Sequence, residues 1–375
     1  MKRSRVNTKL VAVALAIITL ATVYLVGSFF HGRFDVGIRE IVKPMPSDEV
    51  EGEVTGLGAN GLVVVAIKRG LQGEVGCVFL EGQRVGIPSG MAVEGEQSSP
   101  EQFGCVARNG SLVGWRVNES VRRWNPFQWA EPSRSTGLPL MPEQDSRVVG
   151  LRCDDLGEFV VLVREQELAW CDWSGSAARL GSLNLTENSR DGSGVAFVAD
   201  RIVNGSLVIG RFTDSVERVD PRNFQVVPIC RLPEKQASLA QCAVSSDGQT
   251  VLVGTRRGNI IVVDPSVQEP LGEFHVVGSP IRCLSISPDG QLAAFTQISQ
   301  PTHDTVVHLW SITERKLVGK VRVPGSVDRR DLAEQELVRV ISWEKSANTI
   351  IVGFHTGRIV AIDLAAGHKR STNRE

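Results

Sequence analysis

Between residues 238 and 365 apolar and polar positions alternate in short runs, each broken by glycine, aspartate or serine. "SLAQCAVSSDGQTVLVGTRRGNIIVVD" runs from Ser238 to Asp264, "PIRCLSISPDGQLAAF" begins at Pro280, and "VRVISWEKSANTIIVGFHTGRIVAID" runs from Val338 to Asp363. Each reads as an apolar strand, a polar turn, a second strand, a glycine-containing turn and a third strand ending in Asp or its equivalent. A short outer strand such as "EPLGEFHV" completes a four-stranded antiparallel meander. In Ser287-Pro288-Asp289-Gly290 the proline presets φ, Asp289 bonds forward to main-chain N–H groups and Gly290 accepts a left-handed conformation. That stretch predicts a turn between strands, not a site.

Taking the end of the third strand as a marker gives Asp172, Asp220, Asp264, Ser311 and Asp363, in steps of 48, 44, 47 and 52 residues. Weaker copies end at Leu80 and Arg116, which makes seven units. A four-stranded sheet cannot bury either face alone, whereas radial packing of such sheets buries both and leaves only short edges. The expectation is an all-β β-propeller of seven four-stranded blades over residues 36–366, with six blades as the alternative count. "VGIREIVKP", Val36 to Pro44, alternates like a strand outside any complete N-terminal blade. It is expected to supply the outer strand of the last blade and clasp the ring; residues 367–375 are expected to form a disordered tail.

The N-terminus carries a different pattern. Lys2, Arg3, Arg5 and Lys9 form a basic tail over residues 1–9, and Leu10 to Phe30 follows without a charge. At 1.5 Å per residue such a helix is about 31 Å long, enough to span a bilayer. Residues 10–30 therefore predict a transmembrane helix or signal anchor, with cleavage near Val26-Gly27-Ser28 as an alternative. The positive charge holds the N-terminus in the cytoplasm and puts the propeller on the far side, the periplasm in a bacterium.

Composition adds little to this picture. With 41 basic and 42 acidic side chains the net charge is -1, so no overall field draws the chain to nucleic acid. The seven cysteines mostly sit in apolar runs and none has CxxC spacing, so they read as buried thiols, with one or two disulfides as the exported alternative.

The run "IRCLSISPDGQLAAF" followed by "DTVVHLWSI" resembles a WD-repeat blade: it has the Ser-Pro-Asp-Gly turn, and Leu-Trp-Ser stands where that family often has Trp-Asp. The resemblance covers residues 238–365 and is poor before 195. No Gly-His dipeptide precedes the blades, and Trp-Asp is reduced to Val-Asp or Ile-Asp. The copies "VLVGTRRGNIIVVD" and "IIVGFHTGRIVAID" are also similar to quinoprotein-type propeller repeats. Both resemblances imply the same architecture.

No catalytic motif is found: there is no GxSxG, HExxH, GxxxxGK[ST] or DxDxDG. No catalytic, cofactor-binding or metal-binding residue is assigned, and no small-molecule substrate is expected. His303-Asp304 is one His/carboxylate pair, read first as a turn. The stretch from Asn118 to Arg147 holds Arg122, Arg123, Trp124, Phe127 and Trp129, the composition of a protein-binding hot spot on an irregular loop. The alternative is that its tryptophans fill a gap between blades. Arg256 and Arg257 sit in a rim turn from which arginine can grip a partner carboxylate. The expected function is a non-catalytic, membrane-anchored scaffold for protein partners. The alternative is a propeller enzyme, a hydrolase or quinoprotein-like oxidoreductase, working in the central channel.

Overall fold

The computed structural model describes residues 36–42, 53–60, 63–70, 73–86, 102–116, 120–125, 128, 131–139, 147–187, 193–232, 239–267, 269–275, 279–297, 305–324 and 337–364. The basic tail, the 10–30 segment, His303-Asp304 and the C-terminal tail lie outside them. Among the described residues no helix is long and apolar enough to cross a membrane.

Strand β1 (Gly37–Val42) stands apart at the start of the chain. Blade 1 holds β2 (Glu53–Asn60), β3 (Val63–Gly70), β4 (Gly73–Leu80) and β5 (Gln83–Gly86). Blade 2 holds β6 (Gln102–Val106), β7 (Leu112–Arg116), β8 (Ser120–Trp124) and β9 (Arg134–Gly137). Blade 3 holds β10 (Val148–Cys153), β11 (Phe159–Arg164), β12 (Glu167–Asp172) and β13 (Arg179–Asn184). Blade 4 holds β14 (Val195–Val198), β15 (Leu207–Arg211), β16 (Ser215–Asp220) and β17 (Gln225–Arg231). Blade 5 holds β18 (Leu239–Val244), β19 (Val251–Thr255), β20 (Asn259–Asp264) and β21 (Glu269–His275). Blade 6 holds β22 (Ile281–Ile286), β23 (Leu292–Gln297), β24 (Thr305–Ser311) and β25 (Lys316–Val323). Blade 7 holds β26 (Val338–Trp343), β27 (Thr349–Phe354) and β28 (Ile359–Asp363), and its fourth strand is β1. Seven four-stranded antiparallel sheets thus form the ring. Gly37 pairs with Asp363 and Val42 with Ile359, so the clasp expected from "VGIREIVKP" is present.

The sequence pattern explains the layering. Middle strands are covered by a neighbouring blade on both faces, so β11 (FVVLVR), β12 (ELAWCD) and β27 (TIIVGF) are buried almost without interruption. The outer strand β25 instead alternates toward its C-terminal end, with Val321 and Val323 in and Lys320 and Arg322 out. Core clusters therefore lie between blades: one joins blades 4 and 5, another blades 6 and 7. In six of the seven blades the first strand carries a bulge near its start, as between Val338 and Val340. A bulge at one repeated place adds twist where the strand meets the axis.

Blade 2 departs from the expected reading. Arg116 ends its second strand, and the third is Ser120–Trp124, inside the stretch read as an irregular loop. Two arginines and a serine in five residues hide the strand pattern, and the short fourth strand RSTG carries no apolar side chain at all.

Two faces follow from the topology. Turns joining first to second and third to fourth strands form a lower face. Turns joining second to third strands, together with all blade-to-blade connections, form an upper face. The longest intervals between strands, 87–101 and 324–337, follow β5 and β25, whose ends lie at the upper face.

Candidate functional sites at the channel mouth and the upper rim

The ends of the inner strands converge on a cavity of about 180 Å³ on the axis, near the lower face. Arg108, Arg152, Asp154, Asp155, Asp200, Arg201 and Ser285 supply its polar lining. Most of these charges are engaged within the ring. Arg152 donates from Nε to the Ala199 carbonyl (2.6 Å), from Nη1 to Leu151 (2.8 Å) and from Nη2 to Val198 (3.3 Å). Arg201 donates to Asp200 (3.2 Å), to the Ile286 carbonyl (3.1 Å) and to Ser246 Oγ (3.3 Å). Arg108 faces Asp155 at 3.6 Å, and its Nη2 is buried with no hydrogen-bond partner.

Asp200 accepts from the Val244 N–H and from Ser285 Oγ, both at 3.3 Å. It sits at the channel mouth among the inner strands, where desolvation pushes its carboxyl up to about 6 against the pull of the Val244 N–H, Arg152, Arg108 and Ser285. Channel water still reaches 27% of the side chain, which limits the effect. A carboxyl poised near neutrality in a concave site is the kind of group that carries acid–base chemistry. Among the described residues no group of three His, Cys, Asp or Glu could hold a metal ion.

All seven cysteines are buried. Cys105 and Cys153 line the cavity from neighbouring blades, and the Cys153 thiol is pushed well up by its hydrogen bond to Cys105 and by burial. Burial also raises Cys230 and Cys283, each to about 11. His308, stacked on Phe295 at 4.9 Å, is lowered to about 4 by burial and by Lys320.

The expected arginine–aromatic hot spot does not assemble as one patch. Trp124 is 1% exposed, packed with Val63, Val65, Ile67, Val78 and Leu112 between blades 1 and 2. The reading of Trp124 as a partner contact is therefore corrected: it fills a gap between blades. Val121, three residues earlier and so on the opposite strand face, packs toward blade 3. Arg123 shares that face and donates to the Leu156 carbonyl of blade 3 at 2.9 Å. Arg122 is half-buried, with its Nε on Ser120 Oγ at 3.3 Å. Phe127 and Trp129 lie outside the described residues.

Arg256 and Arg257 are exposed on the upper turn of blade 5. On the adjacent upper turn of blade 4 stands Phe212, 61% exposed, the most exposed of the large apolar side chains among the described residues. Sequence reasoning passed over Phe212; an aromatic between Arg211 and Thr213 in a tight turn was the available signal.

This architecture defines the chain as a seven-bladed β-propeller. No family model and no curated protein matches it. Among solved structures it is similar to the β-propeller domain of Myceliophteria thermophila Cps50 (Swd1), with a TM-score of 0.59 over 83% of this chain and 96% of that one. At 15% identity the likeness extends to the fold.

Proposed function

We propose that the protein is a membrane-anchored scaffold whose WD-repeat-like ring binds a protein partner on its upper face and does no chemistry of its own. The charge-free stretch from Leu10 to Phe30 behind a basic tail supports the anchor, with the N-terminus cytoplasmic and the ring extracytoplasmic. The observation that carries the binding reading is Phe212, exposed on the upper turn of blade 4, one blade before the exposed Arg256-Arg257 upper turn of blade 5. Aromatic and arginine side chains together dominate protein interfaces.

The test is cross-linked capture by the full chain from its own cells, followed by mass spectrometry. A partner held by the wild type and by L156S, but lost with F212A or with R256E/R257E, is the expected result. Equal recovery of that partner by all four proteins would sink the proposal.

A second reading, chemistry in the channel, is favoured by the Asp200 carboxyl facing the cavity. Against it, the Arg152 donors are spent on main-chain carbonyls and Arg201 is divided between Asp200 and the next blades. Such bonds belong to a staple more than to a binding cradle.

A further inference from the structure

We infer that the ring sits with its lower face against the membrane surface, its apolar turn tips in the interfacial layer and its upper face turned away. This rests on the anchored reading and adds an orientation to it.

The first observation is where the chain enters. Gly37 lies opposite Asp363, the lower end of blade 7's third strand, so the polypeptide arrives at the ring from below. Only residues 31–36 separate Phe30 from Gly37. Fully extended, such a tether reaches about 20–25 Å. The lower rim of blade 7 is therefore held within that distance of the bilayer.

The second observation is independent of the tether. Nine large apolar side chains stand out as exposed among the described residues. Six of them, Ile38, Leu80, Leu156, Leu180, Phe224 and Val267, lie at lower strand ends or in lower turns. One, Phe212, lies in an upper turn, and the other two, Val85 and Leu271, are on outer strands, as Ile38 and Leu180 also are. Leu156, Phe224 and Val267 are each more than half exposed, on turns of three consecutive blades. Apolar tips clustered on one face favour an apolar or interfacial partner.

The third observation concerns charge. Several lower-turn carboxylates are already engaged locally: Asp247 by Ser245 and Gln249, Asp264 by Ser266, Asp289 by Ser287 and Gln291. Carboxylates nevertheless outnumber basic side chains in the described lower turns, with Asp154, Asp155, Glu158 and Glu344 there beside Arg108, Arg315 and Lys345. The contact is thus apolar in character and, unlike that of a polybasic patch, is not weakened by salt.

The experiment uses the full chain reconstituted into phosphatidylethanolamine/phosphatidylglycerol vesicles. The photo-cross-linker benzoylphenylalanine replaces Phe224, Val267 or Phe212, one position per protein; all three are exposed turn residues, so folding survives. After flotation and irradiation, adducts are assigned by mass spectrometry. The expected result is a several-fold excess of lipid adduct at positions 224 and 267 over 212, unchanged by high salt. Equal or greater lipid adduct at 212 in protein that floats would overturn the orientation and leave the anchor standing. Protein–protein adducts at 224 and 267 would overturn it too, assigning the face to a second copy of the ring. Failure to float would remove the anchor, and the orientation with it.

Discussion

Among the described residues the two faces of the ring are held together to different degrees. Lower turns are stitched blade to blade by hydrogen bonds aimed largely at main-chain atoms. The Asn109 N–H donates to the Asp155 carbonyl (3.1 Å), Arg152 reaches Ala199, Arg201 reaches Ile286, and Ser246 Oγ donates to the Pro288 carbonyl (2.9 Å). Trp343 Nε1 adds a bond to the Ser285 carbonyl (3.2 Å). Among the described residues the upper face has fewer such links, among them the Val195 N–H to the Glu165 carbonyl (2.7 Å) and Arg358 Nη1 to the Pro324 carbonyl (2.9 Å). Arg211, with no exposed side-chain surface, pairs with Glu217 at 2.7 Å and also holds the Leu185 and Ser193 carbonyls. Arg339 joins blade 7 to Glu53 of blade 1 at 2.9 Å. A face secured at fewer points leaves its connections freer to vary in length than one whose turns are bonded from blade 2 through blade 7. Variation in binding surface thus gathers where the ring is least constrained.

The largest expected effect probes this difference from above. R211M leaves the Glu217 carboxylate without its buried partner and costs about 3–5 kcal/mol. Urea unfolding measures it, and E217Q in the same chain should recover part of the loss. W124A, in the blade 1–2 core, should cost about as much through the cavity it leaves. It should leave partner capture by the folded fraction unchanged; selective loss of capture would return Trp124 to a contact role.

Next comes the channel. Because the Asp200 carboxyl sits near 6 when folded, against an ordinary value of 3.8, the folded ring keeps a proton that the unfolded chain releases. Stability therefore falls as pH rises from about 4 to about 6. D200N should abolish that slope and gain about 1–2 kcal/mol at neutral pH, the full two-unit shift being reduced by channel water. Unfolding curves across that pH range check both the sign and the window.

S246A should cost only about 1 kcal/mol, because each lower stitch is one hydrogen bond among many. The smallest change is R256A/R257A, within about 0.5 kcal/mol of wild type in stability. Partner capture should nevertheless fall, and a drop in thermal midpoint as large as that of S246A would show that these arginines also hold the ring.

Blades 5 and 6 were legible because their turn chemistry is local. Ser245, Asp247 and Gly248 repeat as Ser287, Asp289 and Gly290, and both glycines take a positive φ, 72° and 71°. Blade 2 was obscured because Arg122 and Arg123 occupy its third strand, with Arg123 satisfied by a partner in the next blade. The channel cluster was hidden for a similar reason. Arg108, Asp154 and Asp200 are separated by 46 residues at each step, and only the ring makes them neighbours. That interval falls within the spread of the repeat, 44 to 52 residues, so the periodicity itself carries these positions to neighbouring places in the ring. Phe212 and the lower apolar tips carry no periodic signal; their meaning depends on which face of the finished ring each turn occupies.

The clasp has a consequence for how the molecule comes into being. Glu40 and Arg358 are 318 residues apart in sequence and meet at 2.8 Å. Neighbouring strands of a blade close loops of about ten to twenty residues, so joining β1 to β28 spans four to five further doublings of loop length. That adds about 3 kcal/mol of closure entropy. Strand β1 must then wait, unpaired, until β28 has been synthesised. Its short length and the exposed charges of Arg39 and Glu40 suit an edge that has to remain soluble through that wait.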